Sequence, residues 1–216
     1  MKSLFDFKVP DFDGHIRRSI PAIESMYDIC HGLTFALAQE GTFVVDLGCS
    51  TGKFLIDTVK RAGVQYHGID RLDWQRDKVE QTAFHKLDIV ETVRGGWLEG
   101  SSVVLSLFTL QFLPWRDRIE VIERVSEGLV SGGAFIVAEK TCLESPHLDE
   151  IVERNLLEWK RLNFEDAEIL DKSASLAGAM RRMPQRTLVN EMQDVFDTVN
   201  IVWAHGAFLC AVGVKE

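Results

Sequence analysis

At 216 residues, 46% hydrophobic and 26% charged, the chain has the length for one full core, and a second independent domain would leave each half small. A formal net charge of −9 excludes the basic footprint of a protein that lives on a nucleic-acid backbone, so direct nucleic-acid binding is not expected. No apolar run approaches the roughly 20 residues of a membrane span, and residues 1–6 lack the apolar stretch of a secretory leader, so a cytoplasmic protein with no membrane partner is expected.

In chain order, residues 1–20 are mixed aromatic and acidic and read as a packing arm. Pro21 suits the first turn of a helix, with Ser19 as a nearby cap. Ile23, Met26, Tyr27, Cys30, Leu33, Thr34 and Leu37 then recur at helical spacing until Gly41. Residues 1–40 are therefore expected to form a helical lid ahead of the sheet. The β-branched and aromatic run 42–45 is a strand buried on both faces. Asp46 follows, then a tight turn with Gly48 and Gly52, then a helix over 54–62 that Gly63 stops.

A strand feeding a glycine turn and a helix N-terminus is the first unit of an open α/β sheet that holds a nucleotide-like ligand. Gly48 and Gly52 let a ligand approach the backbone where a Cβ would collide. The spacing is not the G-x-G-x-x-G of dinucleotide folds. It is also one residue short of a P-loop, and Phe54 follows Lys53 where a Mg²⁺-binding hydroxyl should stand. D-x-G-x-S-x-G over 46–52 is instead close to the first motif of S-adenosylmethionine (SAM) binders, with an ordinary glycine-rich turn as the competing reading. Asp46, Gly48, Cys49, Ser50 and Gly52 become candidate cofactor-binding residues.

Residues 64–69 read as the second strand, ending in Asp70, 22 positions beyond Gly48. A carboxylate there can pair bidentately with a ribose diol. Only 17 residues separate Asp70 from Asp88, room for a turn or two of helix. Residues 84–89 would be the third strand, with Asp88 placed for an exocyclic amine of adenine and Ile89 for its ring face. The apolar fourth strand spans 101–109, and Ser106 and Leu107 join the cofactor set. Pro114 breaks it, and Ile119, Ile122, Val125 and Leu129 mark a helix closed by Gly132 and Gly133. Residues 134–138 form a fifth strand ending at Glu139 and Lys140. A helical insertion (141–187) follows, then a helix over 188–195 and an antiparallel hairpin of strands 198–203 and 207–214.

This order predicts an α/β, Rossmann-like class I methyltransferase fold. Its sheet is seven-stranded and mostly parallel, with an antiparallel C-terminal hairpin and a helical insertion, all in one domain, 1–216. The four cysteines (Cys30, Cys49, Cys142, Cys210) lack C-x-x-C spacing, so no metal site is expected and a reducing compartment fits. Arg17, Arg18, Lys160, Arg161, Arg181 and Arg182, with Arg186, form short basic clusters. These are either solvated faces or the seat of a small anionic substrate.

With those residues in place, the chain resembles the carboxy-S-adenosylmethionine synthase family of class I methyltransferase relatives. The likeness rests on Arg18-Ser19-Ile20-Pro21, on 45–50 (V-D-L-G-C-S), on 108–113 (F-T-L-Q-F-L), on Gly132-Gly133-Ala134 with Glu139-Lys140, and on Lys160-Arg161-Leu162-Asn163. The resemblance implies a homodimer, SAM contacts at Gly48, Cys49, Ser50, Asp70, Asp88 and Ile89, and SAM, S-adenosylhomocysteine or carboxy-SAM as the bound form. Three departures stand out. Ser173 occupies the place of the family arginine that grips the new carboxylate, Ile23 that of a tyrosine, and Leu107 that of a polar residue in a fourth strand that gains a residue. A buried carboxylate without its cation costs about 3–5 kcal/mol, roughly two decades of binding or more. Either Arg181, Arg182 or Arg186 moves in, or carboxy-SAM is not the product.

Three functions follow from these readings. The first is methyl transfer from SAM to a small-molecule acceptor, with Glu139, His15 and His31 as candidate bases and no catalytic residue assigned. The second, which the resemblance implies, is carboxy-SAM synthesis from SAM and prephenate, in the service of tRNA wobble uridine modification. The third is a non-catalytic SAM-binding partner protein.

Overall fold

Seven strands form one sheet in the order β3-β2-β1-β4-β5-β7-β6. β1 (Phe43–Leu47), β2 (Gln65–Asp70), β3 (Thr82–Lys86), β4 (Ser101–Leu107) and β5 (Leu129–Lys140) run parallel. β6 (Thr198–His205) and β7 (Phe208–Val214) complete the far edge antiparallel. This is the class I methyltransferase plan. The computed structural model describes residues 11–74 and 76–216, so the part of the expected packing arm in residues 1–10 lies outside the described residues. Among the described residues no helix is long and apolar enough to cross a membrane.

Neighbouring strand residues point to opposite faces, and both faces are covered. Val45, Leu47, Val104, Phe135 and Val137 pack on α4 (Ile89–Arg94), α5 (Trp115–Gly128) and α8 (Gln185–Gln193) through Val93, Val121, Ile122, Val125, Leu188 and Met192. On the other face Val44, Val103, Leu105 and Ile136 pack on α2 (Ile23–Leu37), α3 (Lys53–Asp57) and α6 (Pro146–Lys160) through Ile23, Met26, Cys30, Leu55 and Leu156. Burial on both faces explains why the parallel strands read as unbroken apolar runs. Winding reverses between β1 and β4, which opens a crevice over the C-terminal strand ends.

Several boundaries differ from the sequence expectation. Residues 12–19 form a helix of their own, α1 (Phe12–Ser19), so Ser19 ends one helix rather than capping the next. Ala22 starts α2 in the left-handed region with no side-chain cap. α3 stops at Asp57 instead of reaching residue 62, because Thr58 turns extended and its hydroxyl donates to Phe54 O at 2.8 Å. β3 ends at Lys86, and Asp88 becomes the N-cap of α4. Gly132 and Gly133 do not close a helix but lie within β5, α5 having ended at Gly128. Against β1 the register shifts between Phe43 and Val44, which pair with Ser101 and Val103, so Ser102 is an extra residue in β4. The insertion holds two helices, α6 and α7 (Asp166–Leu176).

Candidate active site

The glycine turn after β1 is fixed by backbone bonds. Gly48 N and Cys49 N donate to Ile69 O at 2.8 and 3.0 Å, and Gly52 N donates to Cys49 O at 2.8 Å. Gly48 has φ +83°, and a Cβ there would run into the Thr109 side chain, so glycine is required on both counts. Ser50 is also left-handed, at φ +48°. Its N–H donates to Asp70 Oδ2 at 2.9 Å, and its carbonyl accepts from Arg76 Nε and Nη2 at 2.9 and 2.6 Å. Its hydroxyl is buried with no hydrogen-bond partner.

Asp70 links β2 to this turn, since its Oδ1 accepts from Leu72 N at 2.8 Å. One oxygen thus faces each backbone donor, and each keeps a further lone pair. Asp88 Oδ1 caps α4 by accepting from Val90 N and Glu91 N at 2.9 and 3.3 Å, while Oδ2 takes no hydrogen bond among the described residues. Asp46 is 3% exposed. Burial first, and the Asp70 carboxylate second, push its carboxyl up to about 7 against the pull of Arg76.

Above these strand ends lies a cavity of about 570 Å³, within the range of small-molecule sites. Its floor includes Asp46, Gly48, Cys49, Ser50, Asp70, Asp88, Ile89 and Leu107, while Gly52 and Ser106 do not line it. Ser106 is buried in β4 with its hydroxyl unpartnered. α1 roofs the turn, tied down where Thr51 Oγ1 donates to Asp13 Oδ1 at 2.8 Å. Trp74 also faces the cavity, with its indole N–H buried and unpartnered.

No protein-family model matches the chain. The carboxy-S-adenosyl-L-methionine synthase of Hydrogenovibrio crunogenus is 30% identical over 221 residues, 97% of this chain and 88% of the relative. That of Haemophilus ducreyi is 30% identical over 224 residues, 98% of this chain and 92% of the relative. The chain belongs to the carboxy-S-adenosyl-L-methionine synthase family. Solved structures agree on the fold. An O-methyltransferase family protein from Burkholderia thailandensis superposes with a TM-score of 0.61 at 16% identity, over 89% of this chain and 56% of that one. Human N-acetylserotonin methyltransferase, in complex with SAM, gives 0.54 at 12% identity, over 90% of this chain and 54% of that one.

Of the basic residues singled out from the sequence, Arg17 and Lys160 line the cavity of this family member and five do not. Arg17 is paired at the rim with Glu24 at 2.6 Å. Arg18 lies over the Phe164 ring, 5.1 Å from its centroid. Arg161 pairs with Glu158 and Asp166 on the outside of the insertion. Arg181 reaches the carbonyls of Phe112 and Ala179. Arg182 is held by Asp149 and Glu153, both at 2.7 Å. Arg186 is likewise absent from the lining, and Ser173 is exposed and away from it.

The cavity's cationic wall is made instead by Lys140, Lys160 and Lys172. Burial, then repulsion from Lys140 and Lys172, lowers the Lys160 ammonium from its ordinary range. The carboxylate that offsets Lys160 is Glu153, which is already shared between Lys140 Nζ at 2.7 Å and Arg182. Lys140 stands at the C-terminal end of a parallel strand, the position from which this sheet presents side chains to a ligand, and that placement is readable in the sequence. Lys172, Tyr27 and Trp74 carry no such signal.

The three candidate bases separate cleanly. Glu139 is fully buried outside the lining, and its oxygens accept from Leu110 N and Gln111 N at 2.8 and 2.9 Å. Burial pushes it up to about 8 against those bonds, and it serves to hold the 3-10 turn Leu110–Phe112 under the cavity. His31 bonds Thr58 Oγ1 at 2.9 Å and stacks on Phe54 at 4.2 Å, so its ring is committed. His15 lines the cavity with Nε2 buried and unpartnered.

Proposed function

We propose that the chain is a SAM-dependent transferase that moves the methyl group of SAM to a small anionic acceptor. The carrying observation is the convergence of the left-handed glycine turn with Asp46, Asp70 and Asp88 on one cavity at the sheet's switch point. When bound, SAM supplies a methyl carbon activated by its sulfonium. Asp70 would accept the ribose hydroxyls, Asp88 Oδ2 an adenine amine against Ile89, and Asp46 would face the cationic methionine end. The buried, unpartnered Ser50 hydroxyl and Trp74 indole N–H fit a polar ligand of this kind. Placement and charge matching, rather than a strong base, are the chief contributions of the protein.

In this reading residues 1–216 act as one unit, with the N-terminal helices as lid and 141–187 as the acceptor-side wall. We further propose a homodimer in the cytoplasm. Exposed Leu162 and Leu170 on the insertion, 80% and 68% accessible, support association, and four free thiols suit a reducing compartment. Carboxy-SAM synthesis is the second reading. It is favoured by the family membership and by the three lysines, which supply the positive charge that Ser173 lacks. Mass spectrometry of the protein with methyl-labelled SAM and candidate acids tests both. A labelled, methylated acid supports methyl transfer, and a nucleoside product heavier by one carboxyl group supports the second. SAM binding without turnover would leave a binding protein.

A further inference from the structure

The connection between β2 and β3, residues 71–81, carries no helix among the described residues. Arg76 reaches from it to the glycine turn, half-buried and outside the cavity's lining. Two of its nitrogens converge on the Ser50 carbonyl, Nε at 2.9 Å and Nη2 at 2.6 Å, and Nη2 lies 3.7 Å from Cys49 Sγ. Its guanidinium also covers the Phe84 ring, 5.0 Å from the centroid. That ring fills the space a Cβ on Gly52 or Gly68 would need, so Arg76, Phe84 and the turn pack as one stack. Ser50 is the residue there that needs support, because a left-handed non-glycine persists only where its surroundings hold it. Asp70 holds its N–H and Arg76 its carbonyl. We propose that Arg76 is a positioning residue for SAM: from outside the cavity it pins the left-handed turn and sets one positive charge against the Asp46 and Asp70 carboxylates. This inference rests on the SAM-dependent reading above.

The two roles separate chemically. A grip on one carbonyl by two donors belongs to the planar guanidinium fork, which an ammonium does not reproduce, whereas the charge is common to both. Burial and Asp70 push the Asp46 carboxyl up, and Arg76 is the cation that opposes them. Three other titratable groups share the field of Asp46. Burial first holds up the Tyr27 phenol and the Cys49 thiol, and a hydrogen bond with Cys210, then burial, holds up the Cys30 thiol. All three stay neutral from pH 6 to pH 8.5, so the pH response of the turn is set by Asp46, Asp70 and Arg76. Without Arg76, Asp46 ionises at a higher pH and a cation over the turn is held less well.

The test is calorimetric titration of the full chain with SAM from pH 6 to pH 8.5, on the wild type, Arg76→Gln and Arg76→Lys. Arg76→Gln should weaken binding at pH 7 by about tenfold or more. It should also move the midpoint of the rise in affinity up by at least about half a pH unit. Arg76→Lys should leave the midpoint in place and weaken binding by about threefold or more at every pH. An unmoved midpoint in Arg76→Gln would overturn the charge role, and wild-type affinity in Arg76→Lys would overturn the grip. A variant that loses its cooperative thermal transition without ligand would overturn both, since Arg76 would then belong to the framework of the fold. Failure of the wild type to bind SAM would overturn the underlying reading instead.

Discussion

Asp46 makes SAM binding depend on pH in a direction that can be worked out. Its carboxyl, held up to about 7 by burial and by Asp70, is about one-tenth ionised at pH 6 and about nine-tenths at pH 8. A cation over the glycine turn stabilises only the ionised form. Affinity for SAM should therefore rise with pH, by roughly tenfold or ~1.4 kcal/mol between pH 6 and pH 8. Binding at pH 7 should release about half a proton. The sign for folding is opposite. Because the folded value is raised, the contribution of Asp46 to stability is full below its unfolded value near 3.8 and is lost as pH rises toward 7. Bound SAM should thus protect against heat more at pH 8 than at pH 6. Calorimetric titration in two buffers of different ionisation enthalpy measures both affinity and proton release. Asp46→Asn should flatten the slope and abolish the release. An unchanged slope in that variant would refute the assignment.

Three further outcomes follow from the same geometry. Asp70→Asn places an amide against either Ser50 N or Leu72 N and weakens the diol contact. It should raise the Kd for SAM by about 30- to 1000-fold, or about 2–4 kcal/mol by calorimetry. Glu139→Gln turns one of two acceptors toward a backbone donor, and should lower stability in urea by about 1–3 kcal/mol while loosening the 3-10 turn. Arg118→Met leaves Glu191 without its bidentate partner, at 2.8 and 3.1 Å in a largely buried pair. It should cost about 3–5 kcal/mol, and Arg118→Met with Glu191→Leu should recover most of that loss in the same denaturation experiment.

The parts of this molecule that obey short-range rules were legible in the sequence. Val44 and Val45 sit on opposite faces of a doubly covered sheet, so the strand had to read as a continuous apolar run. Gly48 had to be glycine, and Asp70 falls at the next strand end. Boundaries were less legible where two signals compete. Thr58 and Val59 continue an apolar pattern, yet the Thr58 hydroxyl closes the helix early. Asp88 serves as a helix cap as well as a candidate ligand group, and the cap is what ends the strand reading before it. Gly132 and Gly133 look like a helix stop, but α5 has already ended at Gly128, and tertiary backbone bonds from Gly132 N to Lys215 O and from Lys215 N to Gly133 O hold their segment in β5.

The acceptor side was not legible for a different reason. Charge clusters in a sequence show where cations are neighbours along the chain, whereas a binding wall needs cations that converge in space. Arg181 and Arg182 are adjacent residues but reach different partners, Phe112 and Ala179 carbonyls for one and Asp149 and Glu153 for the other. Lys140, Lys160 and Lys172 come from β5, α6 and α7 and meet on one cavity. Burial first, then repulsion from Lys140 and Lys172, lowers the Lys160 ammonium, and a bound anion would oppose both effects. Replacing any one of them by methionine should accordingly weaken acid binding while leaving SAM affinity in place. A change in SAM affinity of equal size would move the anion subsite onto the cofactor's own carboxylate.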